Sequence, residues 1–121
     1  VYTQAMHTVE HLAEAPVIIV ACLTQPCPDD AATGSGLFGS IYPAAQNLML
    51  AARSRGLGSV LLTLATDYSP TLPHSVKTVK EILGLPEEVG SVALIPVGYP
   101  KGRWGRPRRE DVASSVHWEK W

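Results

Sequence analysis

Five of the ten Lys and Arg residues, Lys101, Arg103, Arg106, Arg108 and Arg109, fall within the stretch KGRWGRPRRE at 101 to 110. Like charges this close repel, so a counter-charge or full solvation must offset the repulsion. A nucleic acid, a phosphorylated cofactor, an acidic partner and plain solvent each meet that requirement. Two features favour a phosphate. Arginine outnumbers lysine four to one here, and its planar fork matches phosphate oxygens bidentately. The loop also follows an apolar run directly, so its base is anchored, and binding residues concentrate on loops held by a rigid scaffold.

Other constellations carry less. HTVEH at 7 to 11 has the H-x-x-E-H pattern of an inverted zinc-peptidase motif, with two histidines one helical turn apart. No third ligand is evident downstream, so two surface histidines are the better reading and zinc is set aside. His74 and His117 stand alone, and there is no G-x-S-x-G elbow for nucleophilic catalysis. GSG at 34 to 36 and GLG at 56 to 58 form neither a dinucleotide fingerprint nor a Walker loop. The pairs Asp29 and Asp30, and Glu87 and Glu88, lie in loop contexts where solvation explains them. Cys22 and Cys27 have neither CxxC nor zinc-knuckle spacing. They read as free thiols in a reducing cytoplasm.

These residues need elements to hold them. Residues 3 to 14 place Met6, Val9 and Ala13 on one helical face, with Leu12 beside them, and Pro16 closes that helix. VIIVACL at 17 to 23 is a continuous β-branched and apolar run, expected as a central strand covered on both faces. The stretch 24 to 36 is rich in Pro, Gly and Asp and reads as loop. A helix is expected next over SIYPAAQNLMLAARSRG, with Pro43 in its first turn, Arg53 and Arg55 near its end and Gly56 just beyond. Its residues are apolar almost all round, which requires burial in a core or against another subunit.

GSVLLTLAT at 58 to 66 is expected as a second buried strand. SVKTVKEILG at 75 to 84 reads as a short helix with Ser75 as N-cap, Val76, Val79, Ile82 and Leu83 inward, and Gly84 after its end. SVALIPVGY at 91 to 99 is a third strand. Pro96 cannot donate to a ladder, so this strand is expected at a sheet edge or with a bulge there. Val116, Trp118 and Trp121 make the tail too apolar to lie comfortably in water.

The bulk numbers set bounds. The 121 residues, 45% of them hydrophobic, suit one domain, and a chain of this size buries roughly 65% of its unfolded surface. The net charge of −1 argues against a general nucleic-acid binder. No apolar run approaches the ~20 residues that span a bilayer, and residues 1 to 15 read as an amphipathic helix, not a signal peptide. The chain opens directly in helical pattern without Met, as the interior of a longer protein would.

Taken in order, YPAAQNLMLAARSRGLGS, ILGLPEEV, VALIPVGYPKGRWGRPRRE and VHWEKW resemble the C-terminal half of the nitroreductase family of FMN-dependent oxidoreductases. The resemblance covers residues 12 to 121. It implies an α+β fold, a three-layer α/β/α sandwich around a mostly antiparallel sheet. Residues 1 to 121 would form a single partial domain lacking the N-terminal part, where the family carries an arginine-rich R-R-S-x-R type segment. It also implies that an arginine in an R-x-P pattern binds the FMN phosphate. That position maps to Arg109, with Asp111 in place of the proline, and Arg108 is the alternative by a one-residue shift. The segment Leu61, Leu62, Thr63 and Leu64 would run along the isoalloxazine, with the Thr63 amide donating to flavin N5. The implied activity passes hydride from NAD(P)H through flavin N5 to a nitroaromatic or quinone-like acceptor, in a cytoplasmic homodimer built on the apolar helix. Two other readings stay open: a dimerising fragment that binds no flavin, and a nucleic-acid module using loop 101 to 109 with Trp104 as a stacking residue.

Overall fold

The structure is a computed structural model that describes residues 2–24, 31–63, 66–67, 77–102, 105 and 108–120. Helix α1 (Tyr2–Glu10) passes into a 3-10 turn (Leu12–Glu14), then strand β1 (Val17–Leu23). Helix α2 (Ala31–Ser54) leads to a short strand β2 (Gly58–Ser59). Helix α3 (Val79–Leu83) precedes β3 (Gly90–Gly98), and a 3-10 turn (Val112–Ser114) lies in the tail.

The sheet is antiparallel throughout, in the order β1-β3-β2. Side chains alternate between faces along a strand, and the two helices share out the faces accordingly. Ile19, Ala21 and Ile95 border an apolar cavity of about 200 Å3 together with Ile41, Ala45 and Leu48 of α2. On the opposite face, Ile18, Val20 and Leu94 border one of about 220 Å3 with Val79, Ile82 and Leu83 of α3. The result is a layered α/β/α arrangement, as expected. β3 is its centre, with Gly90 to Pro96 buried and Ile95 and Ala93 at 0% exposure.

That placement corrects the expectation for Pro96. β3 is the middle strand, and its one register shift faces Ala21 and Cys22, not Pro96. Leu94 gives and takes both its backbone bonds with Leu62, so its amide points to the β2 side, and by alternation so would that of residue 96. On the β1 side Pro96 faces Ile18 in a pair that exchanges no bonds, so the missing donor costs that ladder nothing. On the other side it does. β2 stops at Ser59, the ladder lapses at residues 60 and 61, and it returns only as a bridge between Leu62 and Leu94. The expected strand at 58 to 66 is thereby reduced to two residues and a bridge; positions 64 and 65 lie outside the described residues.

The helices also depart from expectation. Pro43 lies inside α2, which begins at Ala31, where a loop is expected up to residue 36. A proline in a helix interior removes its own bond and its ring crowds the carbonyl four residues back, at a cost of about 3 kcal/mol. Other contacts support the turn before it: Phe38 stacks on Tyr42 at 5.8 Å, and Ser40 Oγ donates to the Leu37 carbonyl at 2.8 Å. The far end follows the sequence reading. Gly56 has φ +76°, and Leu57 N–H returns to the Ala52 carbonyl at 3.0 Å, a left-handed cap. α2 buries only one side, through Ala45 and Ala52, while Leu50 stays 57% exposed.

α3 is shorter than expected and capped by Thr78 in a reciprocal box with Glu81, ending at left-handed Gly84; Ser75 and Val76 lie outside the described residues. Val79 is buried, but Ile82 and Leu83 are exposed, because one turn of helix can press only one face on the sheet. Met6 and Val9 of α1 are likewise exposed.

Candidate functional site

Leu61 and Leu62 are half-buried and Thr63 is exposed. Leu62 N–H donates to the Leu94 carbonyl at 2.9 Å, and Leu94 N–H to the Leu62 carbonyl at 2.8 Å. Both backbone groups of Leu62 face β3, and the alternation of an extended chain would turn those of Thr63 away from it. The Thr63 carbonyl accepts from Thr66 Oγ1 at 2.9 Å, and Thr66 is 2% exposed. Thr63 is thus flanked by Leu62, bonded to β3, and held at its carbonyl by Thr66. Leu64 lies outside the described residues.

One residue further on, Asp67 closes the segment. Its Oδ2 accepts from Ser91 N–H at 2.6 Å and from Ser91 Oγ at 2.9 Å. Its own N–H donates to the Ser91 carbonyl and Oγ, each at 3.3 Å. Ser91 is fully buried, and a buried hydroxyl and amide require such partners. Cys22 faces Ser91 across the ladder. Burial pushes its thiol pKa up, and the Asp67 carboxylate pushes it further. The sequence reading missed Asp67, Ser91 and Thr66. The available signal was a lone serine opening an apolar strand and a Thr-Asp pair after another.

Beyond β3 the described residues, 99–102, 105 and 108–120, are all exposed. Lys101 reaches Glu14 at 3.9 Å, which ties the tail's root to the 3-10 turn before β1. Glu14 also accepts from His11 Nδ1, and this bond is the main reason its carboxyl pKa lies below the ordinary range. Arg108 and Arg109 are exposed and have no ion-pair partner among the described residues. Asp111 accepts from Ala113 N–H at 3.1 Å, capping the tail's 3-10 turn. Arg103, Trp104 and Arg106 lie outside the described residues. The segment 61–63 and the arginine tail therefore share one support. Leu62 is bonded at Leu94, and the tail leaves the same strand at Gly98, about 14 Å further along at strand spacing.

Among the described residues, no three His, Cys, Asp or Glu side chains are grouped to hold a metal, and His7 and His11 of the HTVEH stretch instead pack ring on ring at 4.2 Å. No described helix is long and apolar enough to cross a membrane.

The described residues thus form an antiparallel sheet between helical layers, with the segment 61–63 bridged to its middle strand and Arg108 and Arg109 exposed beyond it. The chain belongs to the nitroreductase family, whose profile matches residues 2–99. It is 33% identical over 109 residues to a Methanothermobacter thermautotrophicus protein named "Putative NADH dehydrogenase/NAD(P)H nitroreductase", covering 89% of this chain and 52% of that one. A protein of the same name from Archaeoglobus fulgidus is 32% identical over 80 residues, covering 64% of this chain and 43% of that one. The chain thus spans about half the length of these curated relatives. Crystal structures of so-named proteins share its fold. That from Bacteroides thetaiotaomicron matches with TM-score 0.67 at 26% identity, over 93% of this chain and 60% of that one. That from Parabacteroides distasonis gives 0.64 at 27%, over 95% and 68%.

Proposed function

We infer that the protein is an FMN-dependent oxidoreductase that takes hydride from NAD(P)H and delivers it to a nitroaromatic or quinone-like acceptor. When bound, the flavin supplies the hydride chemistry at its N5, and the protein supplies binding, orientation and electrostatics. The observation that carries this reading is the pair of backbone hydrogen bonds between Leu62 and Leu94, beside which extended-chain alternation turns the Thr63 amide outward. A backbone donor in a fixed place suits a flavin ring nitrogen and needs no catalytic side chain. Leu61, Leu62 and Leu64 would give the ring an apolar flank.

The residues fit the group's other end as well. Arg108 and Arg109 are exposed cations without a partner among the described residues, and a phosphate dianion is the ligand such a pair accommodates best. Arg109 is the main phosphate ligand in this reading and Arg108 its neighbour. The relatives' names state NAD(P)H and nitroreductase, which supports the donor and acceptor classes proposed. The protein acts as a homodimer, with α2's outer face as the seam.

The test is the double variant Arg108→Ala and Arg109→Ala in the full-length protein. Each charge-assisted contact contributes about 1.5–3 kcal/mol, so losing two weakens FMN binding by orders of magnitude. The expected result is a colourless, folded protein. A variant that keeps wild-type flavin occupancy removes the phosphate assignment. A wild-type protein that takes up no FMN removes the whole reading and favours the flavin-free fragment.

A further inference from the structure

We propose that Asp67 is a positioning residue that, by clamping buried Ser91, holds the backbone of residues 61–63 in the orientation that aims the Thr63 amide at the flavin. The proposal rests on the FMN reading for its ligand, but the clamp itself is a property of the chain. β2 contributes only Gly58 and Ser59 to the sheet, and the ladder lapses opposite Pro96. The Leu62 bridge is therefore isolated, with no continuous ladder on its β2 side to share the load. Two hydrogen bonds standing alone at a sheet edge open easily.

Asp67 changes that. Its carboxylate accepts two bonds from one fully buried residue, at 2.6 and 2.9 Å. Bonds to a carboxylate acceptor are the stronger class. The Thr66 hydroxyl passes the constraint back to the Thr63 carbonyl at 2.9 Å. Leu62 and Asp67 thus pin both ends of a short span onto the same strand, three residues apart at Leu94 and Ser91. The Thr63 amide lies within that span. Asp67 touches neither cofactor nor substrate in this account; it acts through the backbone it fixes.

The experiment compares wild type with Asp67→Ala, Asp67→Asn and Ser91→Ala in the full-length protein. In flavin-free protein, amide hydrogen exchange is read at Leu62 and Thr63, with Val92 and Ala93 as controls for the core. FMN is then titrated into the apoprotein, and the midpoint potential of the bound flavin is measured. Asp67→Ala is expected to speed exchange at Leu62 about tenfold or more while Ala93 stays protected. It should weaken FMN binding about tenfold and shift the potential. Asp67→Asn keeps an oxygen for the Ser91 amide and should fall between the two. Should Asp67→Ala fail to fold, Asp67→Asn and Ser91→Ala carry the same comparison.

Unchanged exchange at Leu62 overturns the clamp. Faster exchange with wild-type FMN affinity and potential overturns the positioning role. If the wild type binds no FMN, the flavin reading fails separately, and the exchange result alone decides whether Asp67 orders the segment.

Discussion

Leu62 and Leu94 exchange both of their backbone hydrogen bonds, at 2.9 and 2.8 Å, although neither neighbour of Leu62 is paired in a strand. Pro96, two residues along β3, accounts for the isolation. Its nitrogen faces Val60 in the register that Ser59 with Val97 and Leu62 with Leu94 define, and it has no proton to give.

Pro96→Val should therefore restore the ladder. The new amide at position 96 is expected to be strongly protected from exchange, and β2 should run without a break from Gly58 to Leu62. Stability should change little. One new backbone bond contributes about 0.5–1.5 kcal/mol, while loss of the proline returns about 0.4–1 kcal/mol of entropy to the unfolded chain. An amide at 96 that exchanges as fast as an exposed loop amide shows that the alternation has been misread.

Gly98 faces the rigid ring of Pro16. A Cβ at this position would meet Pro16 Cδ at 3.0 Å and Cγ at 3.4 Å. The ring cannot rotate away, so Gly98→Ala must part the chain at the start of β1 from the end of β3. Overpacking of this kind costs about 1–3 kcal/mol, a loss of several degrees in Tm. The arginine tail is rooted here, so FMN binding should weaken in step. A variant with the wild-type melting temperature refutes the close packing.

Cys22 offers a test in the alkaline range. Burial, and then the charge of Asp67, raises its pKa, so the folded protein holds the thiol proton where the unfolded chain has released it. The associated stability is fully present below the ordinary thiol value of about 8.5. It is lost as pH rises through the higher folded value. In a Cys27→Ser background, alkylation of the native protein at pH 8 should run well below the rate of the denatured chain. Asp67→Asn should speed it, because a neutral side chain no longer repels the thiolate. Equal rates in native and denatured protein would remove the shift.

How much of this could be read from the residues depended on whether the deciding contact was local. The run VIIVACL predicts β1 at the positions it occupies but not its place. The strand lies at the edge of the described sheet with Val17 53% exposed, not at the centre covered on both faces, a matter of long-range pairing that a local run does not carry. Gly56 and Gly84 mark helix ends because left-handed backbone is a demand on one residue alone. The start of α2 was hidden. Gly36, Gly39 and Pro43 all speak against a helix, and only contacts made once it has formed, such as Phe38 on Tyr42, speak for it. Pro96 was noticed, but its consequence depended on which side of β3 its nitrogen faces, and this is settled by pairing with Leu62, 34 positions away. The same distance hid the clamp. Asp67 and Ser91 are 24 residues apart, and nothing in either neighbourhood announces the other. Thr63 carries its proposed role in its backbone, which no residue type can signal.

The outer side of α2 makes the last prediction. A helix apolar almost all round needs cover on every side, yet the sheet covers only the flank carrying Ala45 and Ala52, leaving Leu50 57% and Tyr42 37% exposed. Tyr42, Gln46 and Leu50 follow one another at four-residue steps and so share a stripe. Trp118 in the tail is 86% exposed, the largest aromatic surface described. In the proposed homodimer these surfaces meet the second copy. Burying one leucine contributes about 1.5–3 kcal/mol, and a glutamate in its place would leave a charge in an apolar seam. Leu50→Glu should therefore convert a dimer into a monomer at micromolar concentration, as measured by light scattering. Trp118→Ala should weaken association, since it removes a large exposed apolar surface. A wild-type protein that is monomeric at millimolar concentration, or a Leu50→Glu variant that remains dimeric, rules out α2 as the seam.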